Sequence, residues 1–176
     1  MDAACRSPTG SLRNDQICSN GKKVVQWHDQ LVLLDIDSPT KTVVAYPLDV
    51  PRGALGDPEI VLDLRDGPAF PDGMVLANDG QSAILAFYDP RDVPAGEARQ
   101  YNLATGELEC VWQTPGSPRV TCPLLVEHDG RVVLVLTTAV EHMSTEEQSR
   151  HPDAGCLFIA DTHFASLPAA PVCSGC

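Results

Sequence analysis

Two residues stand out for the chemistry they could do together, the amide of Asn20 and the carboxylate of Asp72. Both are oxygen donors of the kind a hard divalent cation takes, and a carboxylate can also carry a proton in acid–base catalysis. Local sequence alone singles out neither. Asn-Gly and Asp-Gly are favoured turn dipeptides, and Asp-Gly occurs four times, at Asp66-Gly67, Asp72-Gly73, Asp79-Gly80 and Asp129-Gly130. Spacing separates Asp72 from the other three. Asn20 to Asp72 is 52 residues, Asp72 to Cys122 is 50, and each of these three residues opens a similar pattern.

The elements that must position them repeat three times. Ser19-Asn20-Gly21 leads into Val24–Trp27, a polar turn at His28-Asp29, and the apolar run Leu31–Leu34. Pro71-Asp72-Gly73 leads into Met74–Ala77, a turn at Asn78-Asp79-Gly80, and Ala83–Phe87. Thr121-Cys122-Pro123 leads into Leu124–Val126, a turn at His128-Asp129-Gly130, and Val132–Leu136. Two short apolar strands about a polar turn are the signature of a β-hairpin. More strand material follows each hairpin: Thr42–Tyr46 and Ile60–Leu64, then Ala98–Leu103 and Leu108–Trp112, then Cys156–Asp161.

About four strands per unit at a period of ~40–50 residues is the pattern of β-propeller blades. The fold class is therefore all-β, with about three blades of a six-bladed ring. The first strand of each blade lines the central channel, so Asn20, Asp72 and Cys122 converge on one axis, as a central metal site requires. The ring is incomplete, and the third unit lacks an evident fourth strand. Such open edges invite pairing with another copy of the chain. The expected organisation is an arm over residues 1–16, a partial propeller over 17–167 and a tail over 168–176.

Composition agrees with a folded domain of this kind. The chain has 176 residues, 43% hydrophobic and 20% charged, with 15 prolines and 13 glycines spread throughout as turns between short strands require. A net charge of −12 offers no basic face for phosphate contacts, which excludes nucleic-acid binding. No transmembrane run and no signal-type hydrophobic region follow Met1, and the seven cysteines are odd in number and widely spaced. Reduced thiols in a cytoplasmic protein without membrane association are the expectation.

The remaining candidates read as structural. Cys173-Ser174-Gly175-Cys176 is a CxxC in the tail, without the second pair or following helix that zinc or redox chemistry needs. His142 and His151 are nine residues apart, too far to share one helical face, within a polar surface insertion over 140–151. Trp27 and Trp112 are expected in the core, and His28 and His128 exposed in turns. Cys122 is expected to be a small channel-lining residue rather than a ligand.

Five motifs in register resemble the senescence marker protein/regucalcin/gluconolactonase family. They are Ser19-Asn20-Gly21, Asp37-Ser38-Pro39-Thr40-Lys41-Thr42-Val43, Pro71-Asp72-Gly73-Met74, Val120-Thr121-Cys122-Pro123 and Pro152-Asp153-Ala154-Gly155-Cys156-Leu157-Phe158. Together they span nearly all of residues 17–161. The resemblance implies a six-bladed propeller that holds one divalent cation, calcium or zinc, with magnesium and manganese as further candidates. It also implies hydrolysis of sugar lactones. Within it, Asn20 and Asp72 are metal ligands and Asp72 also moves protons, whereas a Glu ligand and further substrate-binding residues belong to the half of the domain that this chain does not match. A cation would polarise the lactone carbonyl, and no organic cofactor is needed to break an ester. Two other readings stay open: a non-catalytic propeller fragment or module that dimerises through its open edges, and a phosphotriesterase-like hydrolase.

Overall fold

The structure is a computed structural model that describes residues 10–27, 29–77 and 80–168. Its strands form three antiparallel sheets. In the first, β1 (Ser19–Trp27), β2 (Gln30–Asp37) and β3 (Thr42–Asp49) run in chain order; β4 (Ala54–Leu55) and β5 (Glu59–Asp63) both pair with β3. The second sheet takes β6 (Phe70–Leu76), β7 (Ser82–Tyr88), β8 (Ala95–Asn102) and β9 (Leu108–Pro115) in order. The third holds β10 (Val120–His128), β11 (Arg131–Thr138) and β12 (Leu157–Asp161). As the sequence suggests, the third unit has no fourth strand among the described residues.

The hairpins form where polar turns interrupt apolar runs. At Asp129-Gly130 the two turn residues take φ 50° and 71°, with His128 and Arg131 paired across them. Consecutive left-handed residues give the tight turn whose twist matches the flanking strands. The insertion after β11 contains a short helix, α1 (Thr145–Arg150), opened by a capping box in which Ser144 and Glu147 exchange side-chain and backbone hydrogen bonds. That reciprocal pair satisfies two amides the first turn would otherwise leave without partners.

The sheets stack face to face, and this stacking explains the apolar run in β7. Ala83, Leu85 and Phe87 point into one core with Val25, Leu34, Ile36, Val43 and Met74. Ile84 and Ala86 point the other way, into a second core with Val120, Leu125, Leu134 and Leu136. A strand covered on both faces reads as continuous hydrophobicity instead of alternation. Fully burying a side chain such as Ile84 or Leu85 contributes about 1.5–3 kcal/mol. Trp27 and Trp112, expected in the core, are partly buried and pack against the rims of the first and second clusters respectively.

The order of strands places β1, β6 and β10 at the start of successive sheets, and the close approaches fall between them. A Cβ added to Gly21 of β1 would meet the Asp72 carbonyl oxygen and Met74 nitrogen of β6, each at 2.8 Å. One added to Gly73 of β6 would meet the Thr121 carbonyl oxygen of β10 at 2.6 Å. Inner strands this close are what consecutive blades around one channel require, and only glycine permits it here.

Candidate functional site

Each inner strand carries a β-bulge at the same place. The β1–β2 register shifts between Ser19 and Lys22, the β6–β7 register between Pro71 and Met74, and the β10–β11 register between Val120 and Cys122. An extra unpaired residue frees the chain from the ladder and re-aims its side chain. The first unpaired residue in the three strands is Asn20, Asp72 and Thr121. Asn20 and Asp72 thus occupy matching positions, as their spacing suggests. In the third strand the register gives that position to Thr121, whereas Cys122 pairs with Thr137 and is exposed. Thr121 Oγ1 lies 2.6 Å from Thr137 Oγ1, so its hydroxyl is tied into its own sheet.

The approach to Asn20 is fixed by the buried Asp37, whose carboxylate accepts from the Cys18 and Ile17 amides at 2.8 and 3.3 Å. The Asn20 Nδ2 group then donates to Ser38 Oγ at 3.0 Å and to Cys18 Sγ at 3.8 Å. With the amide nitrogen committed to these partners, the carbonyl oxygen is the end left for a cation.

Asp72 sits in a different electrostatic setting. Its carboxyl is pushed up to about 6, first by burial and then by the negative charge of Glu141. The Cys122 thiol is also pushed up, by partial desolvation on its side facing β6 and then by the charge of Asp72, and the Lys23 ammonium offsets this. A half-buried carboxylate with an acidic neighbour is short of positive charge, which a divalent cation would supply.

Glu141 is a neighbour that the sequence reading missed, and its backbone is held in place from two sides. Tyr88, at the end of β7, donates its hydroxyl to the Glu141 carbonyl at 3.0 Å, and Arg119 donates to the same oxygen through Nη1. Arg119 is buried, and its guanidinium lies 5.5 Å from the centre of the Tyr88 ring. Tyr88 and Glu141 are 53 residues apart, so no local pattern connects them. Only the stacking of the second and third sheets does.

Other expected features fall outside the site. His128 is exposed, with its Nε2 3.5 Å from Asp129 Oδ2. His142 and His151 part company: His142 is exposed, while His151 is buried against Asp92. His28 and the CxxC at Cys173 and Cys176 lie outside the described residues. Among the described residues, Cys18, Cys110, Cys122 and Cys156 are free thiols, and no helix is long and apolar enough to cross a membrane. No group of three or more His, Cys, Asp or Glu side chains among them could hold a metal ion. Asn20 and Asp72 by themselves offer two oxygens of the type that calcium takes, where calcium takes six to eight.

Known proteins resemble this chain in sequence and in fold. A profile of the SMP-30/gluconolactonase/LRE-like region matches residues 5–140. The protein of Bacillus subtilis strain 168 named "Putative sugar lactone lactonase YvrE" is 27% identical over 159 residues, covering 89% of this chain and 51% of its own. An uncharacterised protein of Sulfolobus acidocaldarius is 34% identical over 145 residues, 82% of this chain and 46% of its own. Among solved structures, a calcium-binding regucalcin from Agrobacterium tumefaciens superposes with a TM-score of 0.69 at 19% identity, over 90% of this chain and 52% of that one. A luciferin-regenerating enzyme superposes with a TM-score of 0.66 at 16% identity, over 88% and 49%. The chain thus spans about half the length of the relatives it matches, and its three sheets are consecutive blades of a partial propeller.

Proposed function

The chain belongs to the SMP-30/gluconolactonase/LRE-like family, and on that premise we propose that it supplies half of a divalent-metal-dependent site for the hydrolysis of sugar lactones. Asn20 and Asp72 are its oxygen ligands, and Asp72 is also its proton carrier. The observation that carries this reading is the bulge repeated on β1 and β6, which takes Asn20 and Asp72 out of their ladders at matching positions on adjoining inner strands. The names of the relatives support the substrate class and the metal: one is called a sugar lactone lactonase and one solved neighbour a calcium-binding protein.

A bound divalent cation would act as a Lewis acid on the lactone carbonyl. The chain's own residues have separate tasks. Ser38 and Cys18 hold the Asn20 amide nitrogen and so set the direction of its oxygen. Asp72, whose half-buried carboxyl is raised in the metal-free chain by burial and then by Glu141, would accept a proton from an attacking water. As the water oxygen bonds to the carbonyl carbon and the ring C–O bond breaks, that proton goes to the departing ring oxygen, and the product is a hydroxy acid. The half-buried position of Asp72 restricts bulk water around the carboxylate and strengthens its interactions.

The test is hydrolysis of an aldonolactone by the chain with calcium, zinc or manganese added, followed by the release of acid, for the wild type and for Asp72→Ala and Asn20→Ala. Metal-dependent turnover that Asp72→Ala abolishes is expected. Turnover unaffected by chelator or by Asp72→Ala would refute the assignment.

A further inference from the structure

The insertion after β11 begins with a turn that is held more firmly than a surface turn needs. The Met143 amide donates to the Val140 carbonyl at 3.0 Å, which makes Glu141 and His142 its two central residues, and Met143 is buried. His142 takes φ 60°, in the left-handed region that disfavours a residue with a Cβ. Such a conformation persists where the surroundings over-determine it. Here the surroundings are Arg119 and Tyr88, which both donate to the Glu141 carbonyl. Arg119 is 3% exposed, yet its acceptor is a backbone carbonyl and not a carboxylate. Its Nε–H is without a hydrogen-bond partner among the described residues. Burying a guanidinium on such terms is unfavourable, and its effect is to fix the position of one residue.

The side chain of that residue is left out of the clamp. The Glu141 carboxylate is 68% exposed, with the exposed His142 ring 3.6 Å away. Its place is the neighbourhood of Asp72, because Tyr88, whose hydroxyl reaches Glu141, pairs with Phe70 two residues before Asp72. The Tyr88 phenol is pushed up by burial, with Arg119 opposing, and then by the charges of Glu141 and Asp72 together. A fixed backbone and a free carboxylate near the reacting centre are what a residue that sorts substrates requires.

We propose that Glu141 determines specificity at the lactone site, its carboxylate accepting hydrogen bonds from neighbouring hydroxyls of the sugar ring, with Arg119 and Tyr88 as positioning residues. This rests on the lactone reading above and narrows it to polyhydroxylated lactones. An ionised carboxylate accepts and never donates, so it selects ligands rich in donors, and two adjacent ring hydroxyls meet its two oxygens. Such charge-assisted bonds are stronger than neutral ones, and a bound ring displaces the water that would screen them.

Paired kinetics on the complete 176-residue chain with added divalent metal test the assignment. The substrates are D-gluconolactone and δ-valerolactone, the same ring without hydroxyls, and the readout is the ratio of their kcat/KM values. Glu141→Ala, at an exposed position, should lower that ratio about tenfold, chiefly through KM for the hydroxylated ring. Tyr88→Phe keeps the ring that faces Arg119 but frees one side of the Glu141 carbonyl, and should lower the ratio about threefold. Equal losses on both substrates in Glu141→Ala overturn the proposal, because Glu141 would then serve the metal or Asp72 and not the substrate. A Tyr88→Phe variant with a lower melting temperature but an unchanged ratio overturns the positioning role. Titration of the metal-free chain with D-mannitol, which has hydroxyls but no lactone bond, separates this proposal from the lactone reading. Carbon-detected NMR should show the Glu141 carboxyl shifting as mannitol is added. That shift in a chain without turnover keeps the hydroxyl site and removes the lactone chemistry, whereas no shift overturns the proposal.

Discussion

Gly73 faces the carbonyl oxygen of Thr121 across the gap between the second and third inner strands, so closely that a Cβ there would lie 2.6 Å from it and 2.8 Å from Cys122 Cα. Both obstacles are backbone and cannot swing aside. Gly73→Ala must push β6 and β10 apart, and with them the core of Val75, Ile84, Leu125 and Leu134. The expected cost is about 2–3 kcal/mol, the scale of an overpacked interior. Gly10→Ala, where nothing lies within 4 Å of the added carbon, should change stability by less than about 0.5 kcal/mol. Urea midpoints at one fixed protein concentration compare the two, and equal midpoints would contradict the close approach.

Asp72 links the site to stability with an unusual sign. Its carboxyl is raised from 3.8 to about 6 in the folded chain, chiefly by burial. A group whose folded value is raised contributes its stability below the unfolded value and loses it as pH climbs through the folded one. In metal-free buffer Asp72→Asn should therefore stabilise the chain above pH 6, by about 1–2 kcal/mol after allowance for solvent screening. The advantage should shrink between pH 6 and 4 and vanish below. Added calcium should raise the melting temperature of the wild type but not of the variant. A variant less stable than the wild type at pH 8 without metal would count against the buried, unpaired carboxylate.

Glu141 offers a separate handle on the same carboxyl. Its charge is the second cause that raises Asp72, after burial. Glu141→Gln should lower the Asp72 titration toward the usual carboxylate range without restoring it fully, because burial remains. The Glu141 backbone, held by Tyr88 and Arg119 through its carbonyl, should not move. Carbon-detected NMR of the Asp72 side chain follows the titration directly, and an unchanged value would show that Glu141 does not act on it.

How much of this was legible in the sequence depends on the range of the interaction. The hairpins, the strand material behind them and the missing fourth strand follow from apolar runs and turn residues that lie next to one another. The match between Asn20 and Asp72 followed from spacing, because equal repeats put equal residues on equal strands. Cys122 shows the limit of counting: a bulge adds a residue without a sequence mark, and the register gave the third position to Thr121. Tyr88, Arg119 and Glu141 were invisible for a different reason. Their association depends on how two sheets stack, which no window of sequence contains. The capping box at Ser144 and Glu147 is the opposite case, a local signature that could have announced α1.

The insertion that carries α1 is fastened to the second blade by His151 and Asp92, and acid should release it. His151 is buried, and its Nε2–H donates to Asp92 Oδ1 at 2.6 Å, while Arg150 reaches Asp92 Oδ2 through Nε at 3.0 Å and Nη2 at 2.8 Å. The hydrogen bond from His151 and then that from Arg150 hold the Asp92 carboxyl below the usual range. For a depressed carboxylate the stabilisation is present above the unfolded value and is lost as pH falls through the folded one. Amide hydrogen exchange over residues 145–151 should therefore be protected at neutral pH and accelerate once the medium drops below about pH 4, near the ordinary Asp value. Asp92→Asn should show the faster exchange at every pH and lose the acid-dependent step. Arg150→Gln should soften the step less, since its guanidinium is the more exposed partner and the His151 contact survives. A step that persists in Asp92→Asn would assign the acid response to another group on the insertion.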